Sequence, residues 1–312
     1  MTAIEERFRA PLGVAVLGRR GVGRGAVTAA LAEAGVTVLT SDAASAEVRV
    51  VVIAETLKPE ERTQSQAVSG ASGSAATMVV LNKADLTGMT PGGPLAWAER
   101  RAAEFATTLG VPVVPMIAPL ATVGLDDEDV SALRTLVATA ADMTSTDAFV
   151  GCDHPLPKEL RQRLLERLDR FGLAHAVIAV ADGATGVDVA RQLRSLSQLE
   201  RVAETLNAVA APTRYRRVCV ALHELRTLAA QCGDDRIDEF LTSDEVVIAV
   251  MAAAVDVVEA AGMAVERGDD RSAQLRRAVH FRRYARGPVN TTHYRCAADI
   301  SRGSLRLLGL MR

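Results

Sequence analysis

The run Gly-Val-Ala-Val-Leu-Gly-Arg-Arg-Gly-Val-Gly-Arg-Gly-Ala-Val at residues 13–27 is an apolar strand that enters a glycine-rich turn and then a helix start. Glycines let the backbone turn tightly and present successive N–H groups at a helix N-terminus, where the helix dipole favours an anion such as phosphate. Two spacings can be read in the turn. As Gly18-x4-Gly23-Arg24-Gly25 it wraps a phosphate chain with Gly18, Arg20, Gly21, Val22, Gly23, Arg24, Gly25 and Ala26. Arg24 then stands where such loops carry lysine, and Gly25, which offers no oxygen, stands where they carry a magnesium-binding Ser or Thr. As Gly21-x-Gly23-x-x-Ala26 it is a dinucleotide turn, with Asp42, 21 residues after Gly21, placed to bind a ribose hydroxyl. A third reading is a tight turn with no ligand at all.

A second constellation follows a buried strand: Met78-Val-Val-Leu-Asn-Lys-Ala-Asp-Leu86, which ends in Asn82-Lys83-x-Asp85. An Asn amide can bond the Hoogsteen edge of guanine, a Lys stem can lie over the base, and an Asp carboxylate accepts two donors, at N1 and N2, that only guanine presents. This motif favours the phosphate-chain reading of the glycine turn over the dinucleotide one.

The elements that must position these residues alternate. Nearly unbroken Val, Ile and Leu runs at 13–17, 36–39, 48–53, 77–81 and 111–117 predict strands buried on both faces, with helices at 25–34, 60–69, 95–109 and 127–141 between them. Such alternation predicts a parallel sheet covered by helices. The 69–76 and 89–94 stretches are loops by composition. Beyond about Thr144 the apolar spacing becomes helical over 155–170, 186–210, 213–231, 243–265 and 269–286, with breaks at Ala211-Pro212 and Gly287-Pro288. Residues 172–181 fit a last strand or a buried helix equally well. The reading is therefore a nucleotide-binding domain over 1–145 and a helical domain over 146–312.

Over residues 13–145 the chain resembles the P-loop GTPases of the translation-factor and dynamin-like class, with a degenerate Walker A motif. The resemblance implies an α/β fold: a P-loop NTPase-like, mostly parallel sheet followed by a second, all-helical C-terminal domain. It implies GTP or GDP as ligand, Asn82, Lys83 and Asp85 as base readers, and Gly18 to Ala26 around the phosphates. The strand and turn at 111–119 match the family's next base contact, a Ser-Ala turn replaced here by Ile117-Ala118, so that the Ala118 N–H would meet guanine O6. The departures are as informative as the matches. No Asp-x-x-Gly follows a strand as a γ-phosphate sensor, the first helix and the strand at Val48 are too close for an ordinary switch loop, and only Thr40, Ser41 and Asp42 stand near a magnesium or switch position. Asp42 reads more simply as a strand-end turn residue. Neither a catalytic residue nor a metal ligand is assigned, magnesium is left open, and nucleotide binding is better supported than hydrolysis, whose turnover would be weak.

The run Leu193-Arg-Ser-Leu-Ser-Gln-Leu199, then Leu206 and the arginine-bearing stretch 214–228, resembles the helices that follow the nucleotide domain in dynamin-like bacterial GTPases. That implies a domain that binds a protein partner or assembles into a homo- or hetero-oligomer. Two alternatives stay open. One is a pseudo-GTPase acting as the regulatory subunit of a complex with an active GTPase. The other is a Rossmann-type NAD-binding protein using Gly21, Gly23 and Asp42.

Composition bounds the rest. Of 312 residues, 49% are hydrophobic and 24% charged, enough to bury a core and unlike a disordered chain. The longest apolar run, 246–255, is about half the ~20 residues a bilayer requires, and Asp256 and Glu259 follow it. The first residues lack the basic start and apolar run of a secretory signal, which makes a cytoplasmic location the expectation. Four cysteines and five histidines show no metal-ligand spacing. From 271 onward ten Arg face one acid, Asp299, a local +9 against −2 for the whole chain. Arginines interleaved with Phe281 and Tyr284 suggest nucleic acid or an anionic membrane surface. However, Arg295, Asp299, Arg302 and Arg306 share one helical face opposite Ala297, Ile300, Ser304 and Leu308, the pattern of a solvated amphipathic helix, so an acidic protein surface is the favoured partner.

Overall fold

The computed structural model describes residues 6, 10–39, 45–66, 75–88, 91–233 and 235–311. Thr40, Ser41, Asp42, most of the 69–76 loop, Met89, Thr90 and Asp234 lie outside the described residues. The chain divides into two compact units, Gly13–Thr205, and Met1–Leu12 with Leu206–Arg312.

In the first unit four strands, β1 (Val14–Leu17), β2 (Val48–Ala54), β3 (Ala76–Asn82) and β4 (Val113–Met116), form an all-parallel sheet in the order β1-β2-β3-β4. Every residue of β2 except Arg49 is buried, as the unalternating Val/Ile run requires. The expected strand at 36–39 is reduced to one parallel bridge, Val38 to Val14. It lies on the free edge of β1: Val14 donates its N–H to the Thr37 carbonyl (3.0 Å) and accepts from the Leu39 N–H (2.8 Å), while the neighbouring Gly13 carbonyl faces Glu47 (3.0 Å) across the β2 side. After helix α1 (Arg24–Glu33) the chain thus returns on one side of β1 and then crosses to the other. The carboxyl end of β1 is where the winding reverses, the place where open α/β sheets leave a crevice.

The layers around the sheet extend further along the chain than the sequence suggests. Helices α2 (Pro59–Gln66), α3 (Gly93–Leu109) and α4 (Asp127–Ala138) match the expected segments. Beyond them α5 (Thr146–Gly151), α6 (Lys158–Ala181) and α7 (Gly186–Leu196) belong to the same unit. Phe149, Leu164, Leu168, Leu173 and Leu193 are fully buried in one cluster with Ile53, Leu81 and Leu133. The compact unit runs to Thr205, past the boundary expected after 145, and these helices share its buried cluster with the strands. Residues 172–181 are helical, the second half of α6, which bends at Asp169 (φ 54°, ψ 176°).

The second unit contains most of α8 (Leu199–Cys232), then α9 (Asp235–Thr242), α10 (Asp244–Ala260), α11 (Arg271–Tyr284) and α12 (Thr291–Leu310). The expected break at Pro212 does not occur, since α8 runs through it. An internal proline costs a helix about 3 kcal/mol. Here Ala211 and Tyr215 on either side are buried with Met251, Val258 and Ile300, and that packing opposes the cost. The break at Gly287-Pro288 does separate α11 from α12. Gly303 of α12 lies against the Met251 side chain, where a Cβ would not fit, so α10 and α12 approach closely. Among the described residues no helix is long and apolar enough to cross a membrane.

Candidate functional site

Among the described residues, those singled out for nucleotide chemistry lie at or just beyond the carboxyl ends of β1, β3 and β4. The register sets Asn82 beside Ala54 on one strand and Met116 on the other, so the segments after all three strands leave from one edge. That edge holds backbone strain. The first residues after β2 and β3, Glu55 (φ 60°) and Lys83 (φ 58°), are both left-handed without being glycine, a conformation that persists only where the surroundings hold it.

The glycine turn is shaped by two close approaches. Gly18 (φ 147°) lies on the Val52 carbonyl of β2, at 2.6 Å from where a Cβ would be. Gly23 (φ 83°) is the N-cap of α1, and a Cβ there would land on the Asn82 side-chain nitrogen. No side chain caps α1 and no acid occupies its first turn, while Val27 is the first residue whose N–H returns to Gly23 (3.1 Å). Among the described residues no acceptor meets the donors before it, at a helix start that carries a partial positive charge. Arg20 and Gly21 form the exposed tip, Gly25 is exposed, Ala26 is half-buried and Val22 is wholly buried. Arg24 folds back along the turn, its guanidinium 3.4 Å from the Gly18 carbonyl.

Asn82 is the tie between the loops. It is 1% exposed. Its Nδ2 donates to the Val22 carbonyl (2.9 Å) and its Oδ1 accepts the Ala118 N–H (3.1 Å), so one buried amide joins the glycine turn to the segment after β4. The sequence reading gave Asn82 a contact to the base and gave the Ala118 N–H to guanine O6; the structure instead pairs these two groups with each other. Ile117 also donates its N–H to the Ser197 carbonyl (3.1 Å), fixing this loop to the end of α7.

Asp85 is the middle residue of a short 3-10 turn, Ala84–Leu86, and is half-buried. Burial raises its pKa above the ordinary carboxylate value, and the Asp169 carboxylate adds to the rise; its own backbone N–H and Lys83 act in the opposite sense. No cation is ion-paired with it among the described residues, which leaves an acceptor short of donors. Asp169, at the bend of α6, had no distinguishing signal in a charged helical run.

A second feature escaped the sequence reading. Arg19, inside the glycine turn, donates Nε to Glu61 (3.0 Å), and the other oxygen of Glu61 accepts the Lys58 N–H (2.9 Å). Glu61 is 1% exposed. A signal existed in Lys58-Pro59-Glu60-Glu61, since a Glu three residues after a helix start returns to the N-cap N–H. Arg19 is thereby tied to the start of α2 and reaches the Ala54 carbonyl at the end of β2 (3.5 Å).

Four arginines of the basic C-terminal segment are engaged internally. Arg277 is buried and donates to Ser304 Oγ (2.9 Å), the Glu266 carbonyl (2.6 Å) and Gln274. Arg276 pairs with Glu266, Arg302 with Asp299 and Arg306 with Asp244. Phe281 is 1% exposed and cannot stack on a base.

These features define an α/β protein with an all-parallel four-stranded sheet, many helices and a loop cluster at the carboxyl edge of that sheet. Comparison with protein-family models, with curated proteins and with solved structures finds no match.

Proposed function

We propose that the chain is a guanine-nucleotide-binding protein of the P-loop GTPase type that binds GTP or GDP and turns it over slowly or not at all. The observation that carries this is the Asn82 amide, which holds the glycine turn and the Ala118 loop together beside Asp85. Phosphates would meet the free N–H groups at the start of α1, with Arg20 and Arg24 at the mouth. The base would lie beside Lys83, with its N1 and N2 donors on the Asp85 carboxylate, where two hydrogen bonds would recover the cost of burying that charge.

Magnesium fits this site less well than phosphate does. Gly25 at the second position of α1 has no side-chain hydroxyl to offer the metal. This favours a pseudo-GTPase that senses nucleotide and works through its helical unit on a protein partner, with the cytoplasm as the compartment that supplies the ligand.

Calorimetric titration with GTP, GDP, ATP and NADH, with and without magnesium, tests the reading. Guanine-selective binding is expected, with little change on adding magnesium. Asp85→Asn should exchange guanine for xanthine preference, since an amide presents a donor where xanthine presents a carbonyl. NADH binding without GTP binding would overturn the proposal in favour of a dinucleotide turn.

A further inference from the structure

The helical unit contains a cavity of about 410 Å³, independent of the nucleotide site, between α8, α9, α10 and α12. That volume falls in the lower part of the roughly 300–1,000 Å³ range of small-molecule sites. Its aliphatic lining is Leu222, Leu241, Val246, Val247 and Val250. Its polar lining is Arg226, Arg302, Asp299 and the Cys219 thiol, with Cys219, Leu222 and Arg226 following one another along one face of α8.

The charges of the polar lining do not cancel. Asp299 is fully engaged: its Oδ2 accepts the Tyr215 hydroxyl (2.7 Å) and its Oδ1 accepts from Arg302 (3.2 Å). Burial and the neighbouring Asp299 push the Tyr215 pKa up, so this hydroxyl stays a donor. Burial likewise raises the Cys219 thiol, which stays neutral. Arg226 lines the cavity and acts electrostatically on Cys219, and among the described residues no salt bridge to it is found. The site therefore presents one surplus positive charge beside an aliphatic wall.

We propose that this cavity binds a small amphipathic monocarboxylate, its head on Arg226 and its aliphatic body against Leu222, Leu241, Val246 and Val250. A guanidinium fork pairs two oxygens of a carboxylate in one plane, and a single negative charge completes the balance. A doubly charged phosphate would place its second charge against Asp299, so the head is a carboxylate.

The test titrates the full chain with octanoate, octan-1-ol and acetate by calorimetry. Octanoate should bind saturably with one site per chain, and the alcohol and acetate, each lacking one half of the match, about tenfold or more weaker. Arg226→Gln, a change at an exposed position, should bring octanoate down to the affinity of octan-1-ol. Val247→Trp, which fills the cavity, should abolish binding while leaving the circular-dichroism melt intact; should it unfold the unit, the Arg226→Gln comparison decides alone. Equal affinities for octanoate and the alcohol, octanoate binding unchanged in Arg226→Gln, or no binding at millimolar ligand would each overturn the proposal.

Discussion

Helices α1 and α4 stand in the same unit and begin in opposite ways. At α4 the Asp126 carboxylate accepts the Asp129 N–H (2.9 Å), Asp129 returns the bond to the Asp126 N–H (3.1 Å), and Asp127, Glu128 and Asp129 fill the first turn. Arg163 and Arg167 from α6 then neutralise that acidic cluster. At α1 a left-handed Gly23 caps nothing and no acid follows it. The physical reason is the Asn82 amide, which occupies the space a capping side chain at 23 would need. A helix start satisfied from within is a joint of the fold, whereas one kept open by a buried amide is free to take an anion from outside. The nucleotide reading rests on this contrast.

The contrast breaks most severely at Gly23. Gly23→Val adds a Cβ where Asn82 lies and forces a β-branched residue to a positive φ, and should cost about 1–3 kcal/mol or more of stability and abolish nucleotide binding. Denaturant unfolding and calorimetry measure the two losses. Next comes Asn82→Ala, which leaves the Val22 carbonyl and the Ala118 N–H buried without partners; a cost of about 1–3 kcal/mol for each unsatisfied group is expected, together with weaker binding. Retention of full affinity in a folded Asn82→Ala protein would show that the two loops need no tie.

Asp126→Ala removes the cap at α4 and should lower the melting temperature without changing nucleotide affinity, because nothing at that end faces the ligand. The pH dependence gives it a signature. The Asp129 N–H first, then Arg163 and Arg167, hold the Asp126 carboxyl below its usual value. Its stabilising contribution is therefore complete above the unfolded value of ~3.9 and is lost as pH falls through the lower folded value. Melting temperature should fall in that acid window in the parent protein and fall less in Asp126→Ala. Asp85 has the opposite sign. Its raised folded value means that the charged form costs stability at neutral pH, so Asp85→Asn should melt slightly higher than the parent while losing guanine. The smallest change sharpens the contrast without damage: Gly25 has open space around a Cβ, so Gly25→Ser should fold normally and add a hydroxyl at the start of α1. Nucleotide affinity that becomes magnesium-dependent in this variant, and not in the parent, would identify Gly25 as the point where the metal was given up.

Much of this was legible in the sequence. Buried Val/Ile runs gave β1 to β4 because a strand covered on both faces admits little else, and glycine spacing marked the turn because positive φ is cheap only there. The bridge at Val38 was overestimated as a strand, since three or four apolar residues do not show how many backbone bonds they will make. The motif at 82–85 could be seen, but not the work of its first member. Whether an amide binds a base or ties two loops depends on what lies within 3 Å of it, and residues 22 and 118 are remote from Asn82 in the chain.

By itself the sequence determined the parallel α/β order, the glycine turn, the acid motif that ends β3 and the helical character of most of the chain beyond the sheet, with 172–181 left open between strand and helix. Tertiary structure alone decided that α5 to α7 belong to the sheet unit, that Pro212 lies inside a helix, that Arg19 is held by Glu61 and that Arg276, Arg277, Arg302 and Arg306 meet partners within their own unit. Most of these turn on packing or charge between residues far apart in the chain. Local periodicity can set an element's type, while the partner it meets is fixed only when the whole core is assembled.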